Sequence, residues 1–306
     1  MKTPVAFIIF NRPDTTERVF EEIRRARPPK LLIIADGPRL NRLGESEKVA
    51  ATRAIVEQVD WECEVSKNYS DTNLGCKRRV TSGLDWVFQT VEEAIILEDD
   101  CLPHPTFFRF CEVLLEKYRG DERIMHVSGN NFQYGQKRSE ASYYFSRYPH
   151  VWGWASWRRA WRHYDVQIMR WVCAESQDVF LSDFTNPAEK RFWKAKWNGV
   201  CMGMIDTWDF QWVFACMEKR SLSIVPNINL VSNIGFGLDS THTVNLSVFA
   251  NVPTDTMEFP LVPPQLFMRD VEADKHTGDL FFAPGFIRFA AGQIRLWVKW
   301  MYRRLP

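Results

Sequence analysis

The chain has 306 residues, 45% hydrophobic and 25% charged, a composition that buries a sizeable core and excludes disorder. Its 39 basic and 38 acidic residues leave a net charge of +1, no footprint for a nucleic-acid partner, and no run of 18 apolar residues predicts a spanning helix. Seven cysteines without a C-x-x-C pair fit free thiols in a reducing cytoplasm, and Asn11, Arg12 and Asp14 interrupt the first apolar run, against a secretory signal.

Strand-like and helix-like patterns alternate through the first hundred residues. Val5 to Phe10 is a continuous apolar run, expected of a strand buried on both faces. Asp14 and Glu17 have the spacing of a capping box for the helix that follows, with Val19, Phe20, Ile23 and Ala26 on its inner face, and Pro28-Pro29 stops it. Leu31 to Ala35 is a second strand, ending at Asp36-Gly37-Pro38. A helix is predicted over roughly 45–58, a weaker strand at Trp61, Cys63 and Val65, and a third helix through Val80, Leu84 and Val87. Ala94 to Leu97 is a fourth strand that runs into Glu98-Asp99-Asp100. Further on, Phe107 to Tyr118 reads as a helix and Ile124 to Val127 as a strand. Residues 142–164 are dense in aromatics. Helices are expected near 188–200 and 208–219, a strand at Leu222 to Val225, and a mobile loop over 229–245.

Repeated strand–helix–strand units imply an α/β fold with a mainly parallel sheet covered by helices. Ligands of such sheets bind outside the carboxyl ends of the strands, where this sequence has Asn11 and Arg12, then Asp36, then the acidic triplet. An arginine beside two acidic positions suits a nucleotide diphosphate. There is no G-x-G-x-x-G and no Walker A loop, which argues against dinucleotides and ATP hydrolysis. A buried strand that delivers consecutive carboxylates to its exposed end suits magnesium or manganese, with phosphate and water completing the coordination. Solvated acids are the plainer alternative.

Asn11-Arg12-Pro13, Asp36, Asn73-Leu74-Gly75 and Glu98-Asp99-Asp100, in that order, resemble GT-A glycosyltransferases, and among them the group around the eukaryotic N-acetylglucosaminyltransferase I enzymes. The likeness continues to Trp152-Gly153-Trp154 and Trp208-Asp209 and covers roughly residues 4–235. It implies one catalytic domain over 1–284, with a Rossmann-like nucleotide-binding half over 1–100 and an acceptor half over 101–250. It further implies a metal-dependent, inverting transfer of a sugar from a nucleotide-diphosphate donor, UDP favoured, to a hydroxyl of a glycan or lipid-linked acceptor. By the same resemblance Arg12 and Asp36 hold the nucleotide, Asp36 accepting from the uracil imide. Asp99 lies near the ribose, Asp100 binds Mn²⁺ or Mg²⁺, and Asn11, Asn73 and Glu98 belong to the donor site. Asp209 is the general base. Where the family has a second acid after it, this chain has Phe210-Gln211, which leaves Asp206 as a rival.

Gly235 to His242 reads as a glycine-hinged lid whose His242 reaches the diphosphate or the metal once closed. Lys77, Arg78 and Arg79 offer cations at a helix start, although such clusters are more often solvated. Trp152, Trp154 and Trp157 could present flat faces to an acceptor sugar, core packing being the alternative for each. Residues 285–306 carry Arg288, Arg295, Lys299, Arg303 and Arg304 and no acid. At helical spacing the first four of these share one stripe on an apolar, Trp- and Tyr-bearing body, the pattern of a helix lying on an anionic membrane surface. The expected setting is therefore cytoplasmic and peripheral to the membrane, in bacterial surface-polysaccharide assembly. The rivals are a sugar nucleotidyltransferase, which usually has a glycine-rich loop after the first strand, and a non-catalytic sugar-binding protein.

Overall fold

The computed structural model describes residues 1–172, 180–182, 184–236 and 249–282. The first half runs β1 (Val5–Ile9), α1 (Pro13–Ala26), β2 (Lys30–Ala35), α2 (Glu45–Ile55), β3 (Glu64–Tyr69), α3 (Cys76–Thr90) and β4 (Glu93–Glu98). The second runs β5 (Cys101–Pro103), α4 (Thr106–Lys117), β6 (Ile124–Ser128), β7 (Tyr143–Ser146), β8 (Trp154–Trp157) and the short α5 (Arg158–Trp161) and α6 (Met169–Val172). It ends with α7 (Pro187–Cys201), α8 (Asp209–Glu218), β9 (Leu222–Pro226), β10 (Val231–Asn233) and α9 (Val271–Phe282).

Eight strands form one sheet in the order β3-β2-β1-β4-β8-β6-β9-β7. The first four are mutually parallel. β8 inserts antiparallel between β4 and β6, pairing Ile95 with Ala155 and Val127 with Ala155. β9 runs parallel to β6, and β7 closes the far edge antiparallel to β9. The fold is α/β, with a large, mainly parallel sheet flanked by helices.

The central strands read as unbroken apolar runs because each face has its own core. Phe7, Ile9, Ile33 and Leu97 pack with α1 and α4 on one side. Ala6, Ile8, Ile34 and Ile96 pack on the other with α3 and the indoles of Trp154, Trp161, Trp208 and Trp212. A third cluster, rich in aromatics, joins Trp171, Trp193, Trp197 and Phe214 with Leu181, Val200 and Val213 around α7 and α8. Most of the aromatic side chains over residues 142–164 are therefore part of the core.

Local signals explain several departures from the sequence reading. α1 has no side-chain cap from Asp14; Pro13 opens it, and the Thr16 hydroxyl donates to the Arg12 carbonyl at 2.7 Å instead. β3 begins three residues later than Trp61, because that indole packs on Phe20 and donates to the Pro28 carbonyl at 2.8 Å. The start of the expected loop over 229–245 is ordered: Leu230 and Val231 are fully buried, and β10 pairs antiparallel with β5. The rest of the expected lid, with His242, and the basic tail 285–306 lie outside the described residues. Among the described residues, no helix is long and apolar enough to cross a membrane.

Candidate functional site

The carboxyl ends of β1, β2 and β4 bring Arg12, Asp36 and the acidic triplet to one edge of the sheet. Arg12 bridges two of the acids: it donates to Asp99, and its Nη1 reaches Asp100 Oδ2 at 2.8 Å. Asp99 is 2% exposed and also accepts the Phe10 backbone N–H at 3.0 Å. Burial works against the Arg12 charge, but Asp99 and Asp100 outweigh it and hold the guanidinium firmly protonated. Burial raises the carboxyl pKa of Glu98, with the charges of Asp100 and Asp99 adding to it. Asp99 is raised too, by burial against the opposing pull of Arg12. Three carboxylates thus face one guanidinium, and the cluster is short of positive charge.

Asp36 is anchored by the loop ahead of α3. Its oxygens accept from the backbone N–H of Gly37 (2.9 Å), Leu74 (2.9 Å) and Gly75 (3.1 Å) and from Asn73 Nδ2 (3.1 Å). Burial still keeps its pKa above the usual value, the N–H groups offsetting part of the effect. A uracil imide would compete with these donors for the same oxygens. Asn73 also donates to the Gly37 carbonyl at 2.9 Å, so it clamps the two loops together. Asn11 donates to Glu45 Oε1 at 3.0 Å. Glu45 is buried and ion-paired to Arg39.

Asp209 is the first residue of α8 and accepts from the Thr207 hydroxyl. Trp208, buried and stacked at 5.8 Å on Trp154, fixes the start of that helix. Asp206 lies beside the entrance to α3, where a Cβ on Gly75 would come 3.5 Å from its Oδ2. Burial raises the Cys76 thiol pKa, and the charges of Glu98, Asp209, Asp206 and Asp36 reinforce the shift. That thiol therefore sits among acids from three separate chain segments.

A cavity of about 180 Å³ has Asp209 in its lining, with Phe132, Trp152, Phe192, Phe210, Phe281 and Phe282 in its wall. His150 also lines it, and burial pushes its pKa down to about 4, so the ring is neutral. Trp152 meets Phe132 and Phe236 edge-on. Trp154 does not belong to this surface. It is fully buried and stacked on His126 at 5.0 Å, so the expectation that it offers a face to a sugar is corrected: no face is accessible. Trp157 is likewise buried, its Nε1 donating to the Leu115 carbonyl. Arg79 turns inward and donates to Asn68 at 2.7 Å.

A divalent cation fits the charge deficit at the end of β4. Among the described residues no three ligating side chains converge, so the protein would offer one or two carboxylates, Asp100 foremost, and leave the other positions to phosphate and water.

Three features escaped the sequence reading. Glu45 stands at a helix start and gave no strand-end signal. The contact of Gly235, read from sequence only as a lid hinge, with the acidic cluster is the second, and Asn130, which follows β6, is the third. The strand-end rule, extended to β6, would have found Asn130.

Neither a protein-family model nor a curated protein matches the sequence. Solved structures similar to it include a UDP-glucose pyrophosphorylase complexed with UDP-glucose, at 12% identity, 74% of this chain, 90% of that chain and TM-score 0.35. Another is a 4-diphosphocytidyl-2C-methyl-D-erythritol synthase from Anaerococcus prevotii, at 10% identity, 73% of this chain, 88% of that chain and TM-score 0.37. Mouse xyloside xylosyltransferase 1, in its apo form, matches at 12% identity, 73% of this chain, 85% of that chain and TM-score 0.36. None of these three is an N-acetylglucosaminyltransferase I enzyme, and at such similarity what the site does must be argued from its own residues.

Proposed function

We propose that the chain is a metal-dependent, inverting glycosyltransferase of GT-A type, moving a sugar from a nucleotide-diphosphate donor to an acceptor hydroxyl. The observation that carries this reading is Asp209, shared between two environments. It contributes to the acidic field around Glu98 and Cys76, and it also lines the aromatic cavity. A carboxylate between a donor-side charge cluster and a second, separate compartment suits transfer between two substrates. Nucleotidyl transfer does not call for a base in a compartment of its own.

In this scheme Asp209 takes the proton of the acceptor hydroxyl, and the oxygen attacks the anomeric carbon as the bond to the diphosphate breaks. The electron pair leaves on the nucleoside diphosphate. A divalent cation held by Asp100 would neutralise the charge that develops on that leaving group. Arg12 keeps Asp99 and Asp100 oriented, and the Asn73–Gly75 loop, tied to Asp36, shapes the nucleotide side. Asp206 remains the alternative base. The basic, acid-free sequence of residues 285–306 supports a peripheral membrane location, where a lipid-linked acceptor would be met.

Calorimetric titration with UDP, GDP and CMP, with and without manganese, tests the reading on wild type and Asp100→Ala. Metal-dependent binding of one nucleotide, lost in the variant, is expected. Binding of none would sink the proposal.

A further inference from the structure

The cavity beside Asp209 has walls of two kinds. Eight aromatic side chains line it, with His150 beside them, and Asn130, Thr277 and Asp209 bring further polar atoms. Its volume of about 180 Å³ suits a body of one ring, since an apolar cavity of about 150 Å³ holds a benzene molecule. Asn130 is 2% exposed. Its Nδ2 donates to the Val231 carbonyl at 3.0 Å, and a carbonyl can only accept, so the amide orientation is fixed and Oδ1 is an acceptor. That oxygen is buried with no hydrogen-bond partner among the described residues, a condition protein interiors rarely leave. An ionised Asp209 also only accepts. These two acceptors, with the Trp193 Nε1 donor in the same wall, also unpartnered among the described residues, call for a ligand whose hydroxyls donate and accept and that turns an apolar face to the rings.

We propose that this cavity seats the reacting unit of the acceptor, a single hydroxylated ring with an apolar face, one hydroxyl donating to Asn130 Oδ1 and another facing Asp209. The inference rests on the transferase reading, which makes Asp209 the base. A fully hydroxylated hexose sets some of its hydroxyls against the aromatic side chains of this wall, and each unmatched group costs desolvation. A ring with fewer hydroxyls meets the same wall at lower cost. Such a ring has two sources, a deoxyhexose terminus or a cyclic alcohol in an aglycone.

Saturation-transfer NMR titrations test the assignment and separate the sources. The probes are methyl fucopyranoside, methyl glucopyranoside, cyclohexanol and methoxycyclohexane, each with and without UDP and manganese. Fucopyranoside or cyclohexanol should bind best, the tighter of the two naming the source. The ether, which has no O–H to donate, should bind roughly tenfold more weakly than cyclohexanol. Asn130→Ala should remove that difference and leave UDP affinity unchanged. Because the variant also loses the bond to Val231, the alcohol–ether comparison on wild type gives the same answer without a mutation. The assignment is overturned if no probe binds, if the glucopyranoside binds tightest, or if the ether equals the alcohol. Asn130-dependent binding of ring alcohols without any UDP binding would uphold the hydroxylated-ring site and overturn the transferase reading.

Discussion

Gly235 stands so close to the acidic cluster that a methyl group has no room. A Cβ there would lie 2.2 Å from Asp100 Oδ2 and 2.7 Å from Arg12 Nη1. It would also lie 2.7 Å from Asp100 Cβ, which moves only with the backbone, so the substitution would part the ion pair and shift the main chain there as well. Gly235→Ala is expected to weaken metal-dependent UDP binding about tenfold or more and to lower the melting temperature by a few degrees, which calorimetry and thermal unfolding read together. Asp209→Asn should lower kcat by ~10²–10⁴ with donor binding intact; an unchanged kcat would transfer the role to Asp206. Residue identities at the strand ends were legible because the apolar strands point to them. Their partners were not: Arg12 meets acids nearly ninety positions away, and no local pattern announces that Asp36 will be spent on residues 73–75.

At the scale of elements, Asp36 joins the end of β2 to the start of α3. Its carboxylate receives three backbone N–H groups, and removing it strands them. Asp36→Ala should cost about 2–4 kcal/mol in urea unfolding, above the effect of losing a ligand contact alone. If stability holds and only UDP affinity falls, the residue serves the nucleotide and not the loop. Strands and helices with clear periods were predicted close to their observed bounds. The errors arose where tertiary contacts overrode local pattern, as when Trp61 packed under α1 and moved β3 down the chain. β10 was hidden because its pairing with β5 joins segments of irregular composition.

For the molecule as a whole, Asp274 ties α9 to β7. It is buried, accepts the Ser146 hydroxyl at 2.6 Å and lies 3.7 Å from Arg269. Burial pushes its pKa up from 3.8 to about 6, against the pull of Ser146 and the arginines. A carboxyl raised in the folded state binds its proton more tightly there than in the unfolded chain. Its stabilising contribution is therefore complete below pH 4 and lost as pH rises through 6, about 3 kcal/mol in all. Asp274→Asn removes that dependence, so urea midpoints of wild type and variant should diverge between pH 4 and 7, with wild type losing ground as pH rises. The sheet order was the least legible feature of the fold. Nothing in the aromatic stretch around residue 154 says that β8 will cross back between β4 and β6. That crossing ties the two halves together during synthesis. A nascent chain that has emerged only through Asp100 leaves the β4 edge, with Ile95 and Ile96, open to any passing strand until residues 154–157 leave the ribosome. Residues 1–100 are thus no transplantable module: a fragment ending near residue 100 should aggregate, and one carried past β8 should not.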